Sequence, residues 1–484
     1  MNICMVSSES VPFSKSGGLA DVVGALSGAL AMVGEEVRVV LPLYGSVDRT
    51  TFTDLPFQGE VSLLGSTEEV TFCETRLGKV TYYFVQHPYY TDRKGIYGDT
   101  SFTPYHDNLK RFTLLNKAAL VLCKLLEWKV DIMHCHDWTC GFLPYLLSLH
   151  DDPFYQKTKS VMTIHNLAYQ GEFSRLELLS TDILPDNRMF SGETPTKRTN
   201  MLKTGLEFAD RITTVSPTYA KEIQSKEYGC SLDGLLTERA ADLDGIINGI
   251  DPDEWNPETD PFIEHHFSAH AQQGKQAIKA ELQEEFNLPK DPAIPLFAII
   301  SRLAEQKGFV ELLEGSPCAL EQMLQKHTMQ MILIGTGDSA MEIKLRELGE
   351  RYENLSVNIL FSNKAAHRLE AGADFFLMPS RYEPCGLNQL YSLRYGTLPV
   401  ARKTGGLADS IIDLDERPKE GTGILFESMS ARGILEAVER AIHWWEKGPK
   451  TLQTIRERCM LWDSSWERSA KAYQTVYRSS LRGK

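Results

Sequence analysis

Short runs rich in Val, Ile, Leu and aromatic residues alternate with stretches of helical spacing along almost the whole chain. Such an alternation of β-rich runs with helical segments is the signature of a parallel α/β architecture. In the first half the pattern predicts strands at NICMVS (2–7), EVRVVLPL (36–43), VTYYFV (80–85), VDIMHCH (130–136), SVMTIH (160–165) and RITTVS (211–216). In the second half it predicts PLFAIIS (295–301), QMILIG (330–335), SVNILF (356–361), ADFFLMPS (373–380) and TLPVA (397–401). Each half holds enough strands for its own doubly wound α/β sheet.

Between the halves lies DGIINGIDPDEWNPETDPF (244–262), rich in Asp, Asn and Pro and without helical period. It reads as the interdomain connection, with the boundary near residue 247. The tail SSWERSAKAYQTVYRSSLRGK has helical spacing, and periodicity alone does not say against which half it packs.

Ligands of open α/β sheets gather where strand carboxyl ends lead into helix N-termini. The unusual residues fall at those places: Asp137 and Trp138 after VDIMHCH, His165 and Asn166 after SVMTIH, Arg302 after AIIS, Glu383 after FFLMPSR. Two such sheets facing each other would enclose a cleft lined by these loops. An octapeptide is written nearly twice, KSGGLADV at 15–22 and KTGGLADS at 403–410. A Gly-Gly turn opening a helix lets a ligand approach backbone N–H groups at a positive helix end, and an adjacent Lys makes an anion site; a lone copy reads rather as a tight turn with a solvated Lys. Neither copy fits the phosphate loop of nucleotide hydrolases or the dinucleotide fingerprint, and Gly335-Thr336-Gly337 is too short a match to count.

Arg302 and Lys307 in SRLAEQKG place two cations after one strand, suited to a diphosphate or to a surface ion pair. His134 and His136 alternate onto one strand face, but no further Cys or acidic cluster completes a metal sphere, so buried, hydrogen-bonded histidines are expected. Cys385 lies beside no base in sequence and reads as a small packed thiol rather than a nucleophile.

Composition narrows the partners. With 484 residues, 42% hydrophobic and 10% aromatic, the chain can fill two cores. A net charge of −14, from 51 Lys+Arg against 65 Asp+Glu, argues against nucleic acid and confines any anion site to a local cluster of cations. Nine cysteines without Cys-x-x-Cys spacing, no apolar run long enough to span a membrane, and a start that already reads as a strand point to a reduced, cytoplasmic setting.

The blocks KSGGLADV, HCHDW, TIHNLAYQG, EYGCSLDGLL, GIINGID, SRLAEQKG, FFLMPSRYEPCGLNQLYSLRYGTLPVARKTGGLAD and SWERSAKAY, in this order and spacing, resemble the bacterial glycogen synthase and plant starch synthase family, from residue 1 to about 475. The resemblance implies a family-5 retaining glycosyltransferase of GT-B fold: two Rossmann-like domains at 1–247 and 248–461, facing across a cleft, and a final helix at 462–484 crossing back to the first. It implies transfer of glucose from ADP-glucose to the non-reducing 4-OH of an α-1,4-glucan such as glycogen, with no cofactor and no metal. It leaves the oligomeric state open.

Roles carry over by motif position. Lys15, with the amides of Gly17 and Gly18, would meet the donor's diphosphate or the charge developing near the sugar. Arg302 and Lys307 would hold the diphosphate as ADP leaves. His165 would bind the transferred glucose, and Glu383 would accept from its hydroxyls. Glu9, Tyr97, Asp137 and Asn248 match the sugar and acceptor side, and Phe361, ending SVNILF, matches an aromatic that stacks on adenine. Ser16, Asp21, Cys385, Gly386, Leu387, Thr404, Gly405 and Gly406 complete the implied substrate contacts, the last two as diphosphate-binding amides, with Lys403 beside them. Three positions depart from the pattern. Tyr391 stands where the wider retaining family has the second Glu of Glu-x7-Glu, as is usual in this branch; Asn388 and Ser16 each replace a commoner Thr, keeping a hydrogen-bonding group. No carboxylate pair of the kind used by retaining glycosidases is evident, which favours front-face displacement assisted by the leaving diphosphate. The rival readings are a non-catalytic glucan-binding protein of the same fold, a UDP-glucose-dependent synthase, and a phosphorylase, whose cofactor-lysine motif is not found.

Overall fold

The computed structural model describes residues 1–63, 65–99, 103–149, 151–192 and 197–482. The chain divides into two compact units, Met1–Asn248 with Trp466–Lys484, and Gly249–Ser465.

The first unit is built on strands β1 (Asn2–Val6), β2 (Glu36–Pro42), β3 (Thr53–Leu63), β4 (Ser66–Leu77), β5 (Val80–Gln86), β6 (Ile132–His136), β7 (Lys159–Ile164), β11 (Arg211–Thr214) and β12 (Leu243–Gly245). Their spatial order is β12-β11-β7-β6-β1-β2-β5-β4-β3. All neighbours from β12 to β5 run parallel, and β4 and β3 extend the edge as an antiparallel meander. A separate small sheet is formed by β8 (Glu172–Ser174), β9 (Phe190–Ser191) and β10 (Arg198–Asn200). From β1 the chain winds outward through β2 and β5, then returns to the other side of β1 with β6. The strand order therefore reverses between β1 and β6, and the crevice outside their carboxyl ends is the favoured place for a ligand.

In the second unit, β13 (Leu296–Ile300), β14 (Gln330–Ile334), β15 (Leu355–Asn358), β16 (Phe375–Met378), β17 (Leu398–Arg402) and β18 (Ile424–Phe426) form an all-parallel sheet of order β15-β14-β13-β16-β17-β18. Here the order reverses between β13 and β16. Alternate residues of one strand enter different cores: Phe297 and Ile299 join Phe375 and Leu377 on one face, while Leu296 and Ala298 join Phe376 and Met378 on the other. Burial of both faces is why these strands read as unbroken apolar runs.

The final helix, Trp466–Arg482, buries Trp466, Ala470, Tyr473, Val476 and Tyr477 with the Gly18–Met32 helix and β1 and β2 of the first unit. The return to that unit comes at Trp466 rather than at 462. Residues up to Ser465 stay tied to the second unit, where the Ile250 N–H donates to the Ser464 carbonyl at 2.9 Å. Among the described residues no helix is long and apolar enough to cross a membrane.

Candidate active site

β1 delivers Ser7-Ser8-Glu9 to the switch point of the first sheet, and β6 and β7 deliver Asp137 and His165 beside it. Glu9 is buried. Its carboxylate accepts from the Ser16 N–H at 2.5 Å, the Ser16 hydroxyl at 2.9 Å, the Gly17 N–H at 3.3 Å and the Tyr97 hydroxyl at 2.7 Å. It thus ties the first octapeptide to the sheet from the inside and satisfies donors at the start of the Gly18–Met32 helix. Burial raises its pKa, and the hydrogen bonds from Ser16, Tyr97 and Gly17 oppose that rise. The Tyr97 hydroxyl also meets Ser8 Oγ at 2.8 Å, and its pKa is held well above the usual phenol range, chiefly by burial.

The first Gly-Gly turn differs from expectation in one respect: the Gly17 N–H is already engaged by Glu9. The turn presents an open face. Gly17 has an extended φ of −158°, and a Cβ at Gly17 or Gly18 would meet nothing within 4 Å. Neither a left-handed backbone nor internal packing requires glycine at these two positions. Lys15 stands exposed beside this space, paired with Asp21 at 2.7 Å.

Asp137 sits at φ 56° immediately after β6, and its carboxylate accepts the His165 N–H at 2.8 Å. Burial pushes its pKa up to about 7 against the hydrogen bonds from the His165 and Asn166 backbones; the charge of Glu9 adds to the rise. The His165 ring meets His136, with Nε2 3.0 Å from His136 Nδ1. His136 packs on His134 with centroids 4.1 Å apart. His134 is held at both nitrogens, by the Tyr477 hydroxyl at 2.8 Å and Thr163 Oγ1 at 2.6 Å. Burial drives the pKa of His134 and His165 down to about 3 and lowers that of His136, so all three rings are neutral. The pair is the buried, hydrogen-bonded arrangement expected for His134 and His136. Asn248 ends the unit, buried, with Oδ1 lacking a partner among the described residues.

In the second unit, β13 exits into Ser301-Arg302 and β16 into Pro379-Ser380, on either side of that sheet's switch point. Glu383 is buried, and its Oε2 accepts from Lys307 Nζ at 2.5 Å and Ser380 Oγ at 3.0 Å. Its Oε1 has no partner among the described residues. The turn carrying Lys307 reaches Glu383 because Gly308, at φ 81°, lies flush on the Pro379 carbonyl; a Cβ there would stand 1.9 Å from that oxygen. Arg381 braces the same turn through Glu305 and through Glu311 at 2.7 Å. The Arg302 guanidinium is exposed and forms no ion pair among the described residues. Asn388 Nδ2 donates to the Ile300 carbonyl at 2.8 Å, fixing the Asn388–Arg394 helix to the end of β13.

The second octapeptide is built differently from the first. Gly405, at φ 44°, would place a Cβ 2.0 Å from the Glu383 carbonyl, and Gly406 would place one 2.1 Å from the Cys385 carbonyl. The Gly406 N–H donates to the Glu383 and Pro384 carbonyls, both at 3.1 Å. These glycines pack the 383–385 loop and thereby hold Glu383, and the Gly406 amide expected to meet a diphosphate is spent on that packing. Thr404 and Cys385 are buried beside it, Gly386 takes φ 72°, and Leu387 precedes the Asn388–Arg394 helix. Lys403 turns away to Glu427 at 3.3 Å and Glu416 at 3.7 Å, and the Glu427 bond raises its pKa.

Phe361 does not end a strand: β15 stops at Asn358, and the ring lies 92% exposed in the following loop. The apolar run Ile359-Leu360-Phe361 carried the sequence reading past the last ladder residue. Tyr391 stacks on Trp255 at 3.6 Å, and Trp255 on His367 at 3.8 Å. An aromatic sandwich thus occupies the position of the second Glu. No group of three His, Cys, Asp or Glu side chains among the described residues is arranged to hold a metal ion. Sequence reasoning passed over Ser380, Arg381, Tyr477 and the contact from His136 to His165. Only the HCHDW pattern signalled the last of these.

Residues 2–238 match the starch synthase catalytic domain family, and residues 279–458 match glycosyl transferases group 1. The chain is 41% identical to glycogen synthase 2 of Geobacter sulfurreducens, over 99% of this chain and 98% of that protein. It is 43% identical to glycogen synthase of Anaeromyxobacter dehalogenans, over the whole of both chains. Among solved structures, the catalytic domain of starch synthase IV from Arabidopsis thaliana, bound to ADP and acarbose, superposes with a TM-score of 0.89 at 31% identity, covering 99% of each chain. The two parallel α/β units are those of the GT-B architecture.

Proposed function

The chain belongs to the glycogen and starch synthase family of glycosyltransferases, and we propose that it transfers glucose from ADP-glucose to the non-reducing 4-OH of an α-1,4-glucan, elongating glycogen with retention of anomeric configuration. The observation that carries the reading is the Lys307–Glu383 pair at the switch point of the second sheet, with one carboxylate oxygen uncommitted. An ammonium has three donors, and Glu383 uses one; the others are available to phosphate oxygens, with Arg302 as the second cation. Glu383 Oε1 accepts from glucose hydroxyls.

In the reaction the bond from the anomeric carbon to the phosphate oxygen breaks while the acceptor O4 bonds to the same face of that carbon. The acceptor proton passes to the departing diphosphate. Lys307, Arg302 and Lys15 stabilise the charge on the leaving group, which is why the reading calls for no metal. His165 and Asp137 serve the sugar, and Glu9, Tyr97 and Asn248 shape its surroundings. Phe361 offers an exposed ring to adenine. We place the reaction in the cytoplasm, in keeping with nine free thiols.

The test compares initial rates with ADP-glucose and UDP-glucose on a glycogen primer. Faster transfer from ADP-glucose is expected; faster transfer from UDP-glucose overturns the donor, and no transfer from either overturns the activity. Glu383→Ala should lower kcat by about 10²-fold or more with the fold intact, and near-normal kinetics would return Glu383 to a structural role.

A further inference from the structure

We infer that His136 is a positioning residue for this transfer: it fixes the neutral His165 ring in the tautomer that carries its proton on Nδ1, so that His165 meets the sugar as a hydrogen-bond donor. The contact between His165 Nε2 and His136 Nδ1, at 3.0 Å, joins two neutral imidazoles and therefore contains one proton. If His136 Nδ1 holds it, His165 Nε2 accepts, and the His165 proton must lie on Nδ1. If His165 Nε2 holds it, the His136 proton is forced to Nε2.

The second arrangement is disfavoured by the surroundings of His136. Its Nε2 is buried and has no partner among the described residues. A proton there would be a buried N–H without an acceptor, which folded proteins avoid more strictly than an unfilled acceptor. His136 therefore donates through Nδ1. It is held against turning away by its tilted packing on His134, at a centroid distance of 4.1 Å, and Tyr477 and Thr163 hold His134 at both nitrogens. The backbone of His165 is fixed as well, by the Asp137 carboxylate. On the half-buried His165 ring only Nδ1 has no partner among the described residues.

That the group meeting Nδ1–H is a hydroxyl of the transferred glucose rests on the function proposed above. The tautomer does not. The full-length protein labelled with 15N-histidine, with the His165 signals assigned by their loss in His165→Gln, should show a protonated Nδ1 and an unprotonated Nε2. A protonated Nε2 overturns the inference. In the transfer assay, His136→Phe retains a packed aromatic ring and loses the donor. Its kcat should fall on the order of 10²-fold with little change in the KM for ADP-glucose, and His136→Asn, whose amide can reach the Nδ1 position, should recover part of the loss. Wild-type kcat in both variants overturns the positioning role. Wild-type protein that transfers no glucose while showing the Nδ1–H tautomer overturns the functional reading and leaves the tautomer standing.

Discussion

Asp137 combines a left-handed backbone, a carboxyl pushed up to about 7 and two backbone donors that hold the loop after β7. The unfolded carboxyl titrates near 3.9. Between that value and about 7 the folded chain keeps a proton that the unfolded chain has released, so raising the pH through this window removes stability; above 7 the loss is complete. A shift of this size corresponds to at most about 4 kcal/mol. Asp137→Asn keeps an oxygen for the His165 N–H and tolerates the left-handed backbone, but does not ionise. Melting temperatures at pH 5 and pH 8 should therefore fall further in the wild type than in Asp137→Asn; equal falls would show that the carboxyl titrates normally. At this scale the candidates Glu9, Asp137, His165, Arg302, Lys307 and Glu383 could be picked from sequence, because they stand in distinctive short motifs at strand ends. What those side chains bond to could not. Glu9 reaching Ser16 and Gly17, and His136 reaching His165, depend on which strands lie side by side.

The two octapeptides show how one local pattern serves two purposes. At 17 and 18 an added methyl enters empty space, and at 406 it strikes a carbonyl 2.1 Å away. Gly18→Ala lies in the first turn of a 15-residue helix and should leave the melting temperature unchanged or raise it, alanine being favoured by up to about 1 kcal/mol in helices. Its activity should fall if donor groups approach that turn. Gly406→Ala should lower the melting temperature sharply, because backbone must move against backbone. Thermal melts and initial rates on both variants separate the cases, and a Gly406→Ala protein as stable as the wild type would refute the packing role. Sequence identity alone could not distinguish the copies, since the difference lies in the 383–385 loop that only the second one meets. The same logic divides the strands. The doubly buried ones were legible as apolar runs, whereas β3 and β4, alternating and half-exposed at a sheet edge, carried no such run. β18 has only three residues in which to show one.

Across the whole molecule the chain leaves its first unit at Asn248 and returns at Trp466, so the second unit is one continuous segment and the first is not. The returning helix is part of the first core. Tyr473 and Tyr477 are fully buried, and Tyr477 closes the histidine layer behind His165. A fragment spanning 249–465 should thus fold by itself, while 1–248 should not without 466–482 supplied in the same chain or added as a peptide. In the intact protein, Tyr473→Ala should destabilise the first unit by about 3–5 kcal/mol, the usual cost of truncating a large buried aromatic. Hydrogen exchange followed by mass spectrometry can localise the effect: protection should fall in β1, β2 and the Gly18–Met32 helix, where the tail packs, and remain unchanged in β13 to β18. Equal loss in both units would mean that they unfold as one. Loss confined to the tail would mean that the helix merely rests on a core complete without it.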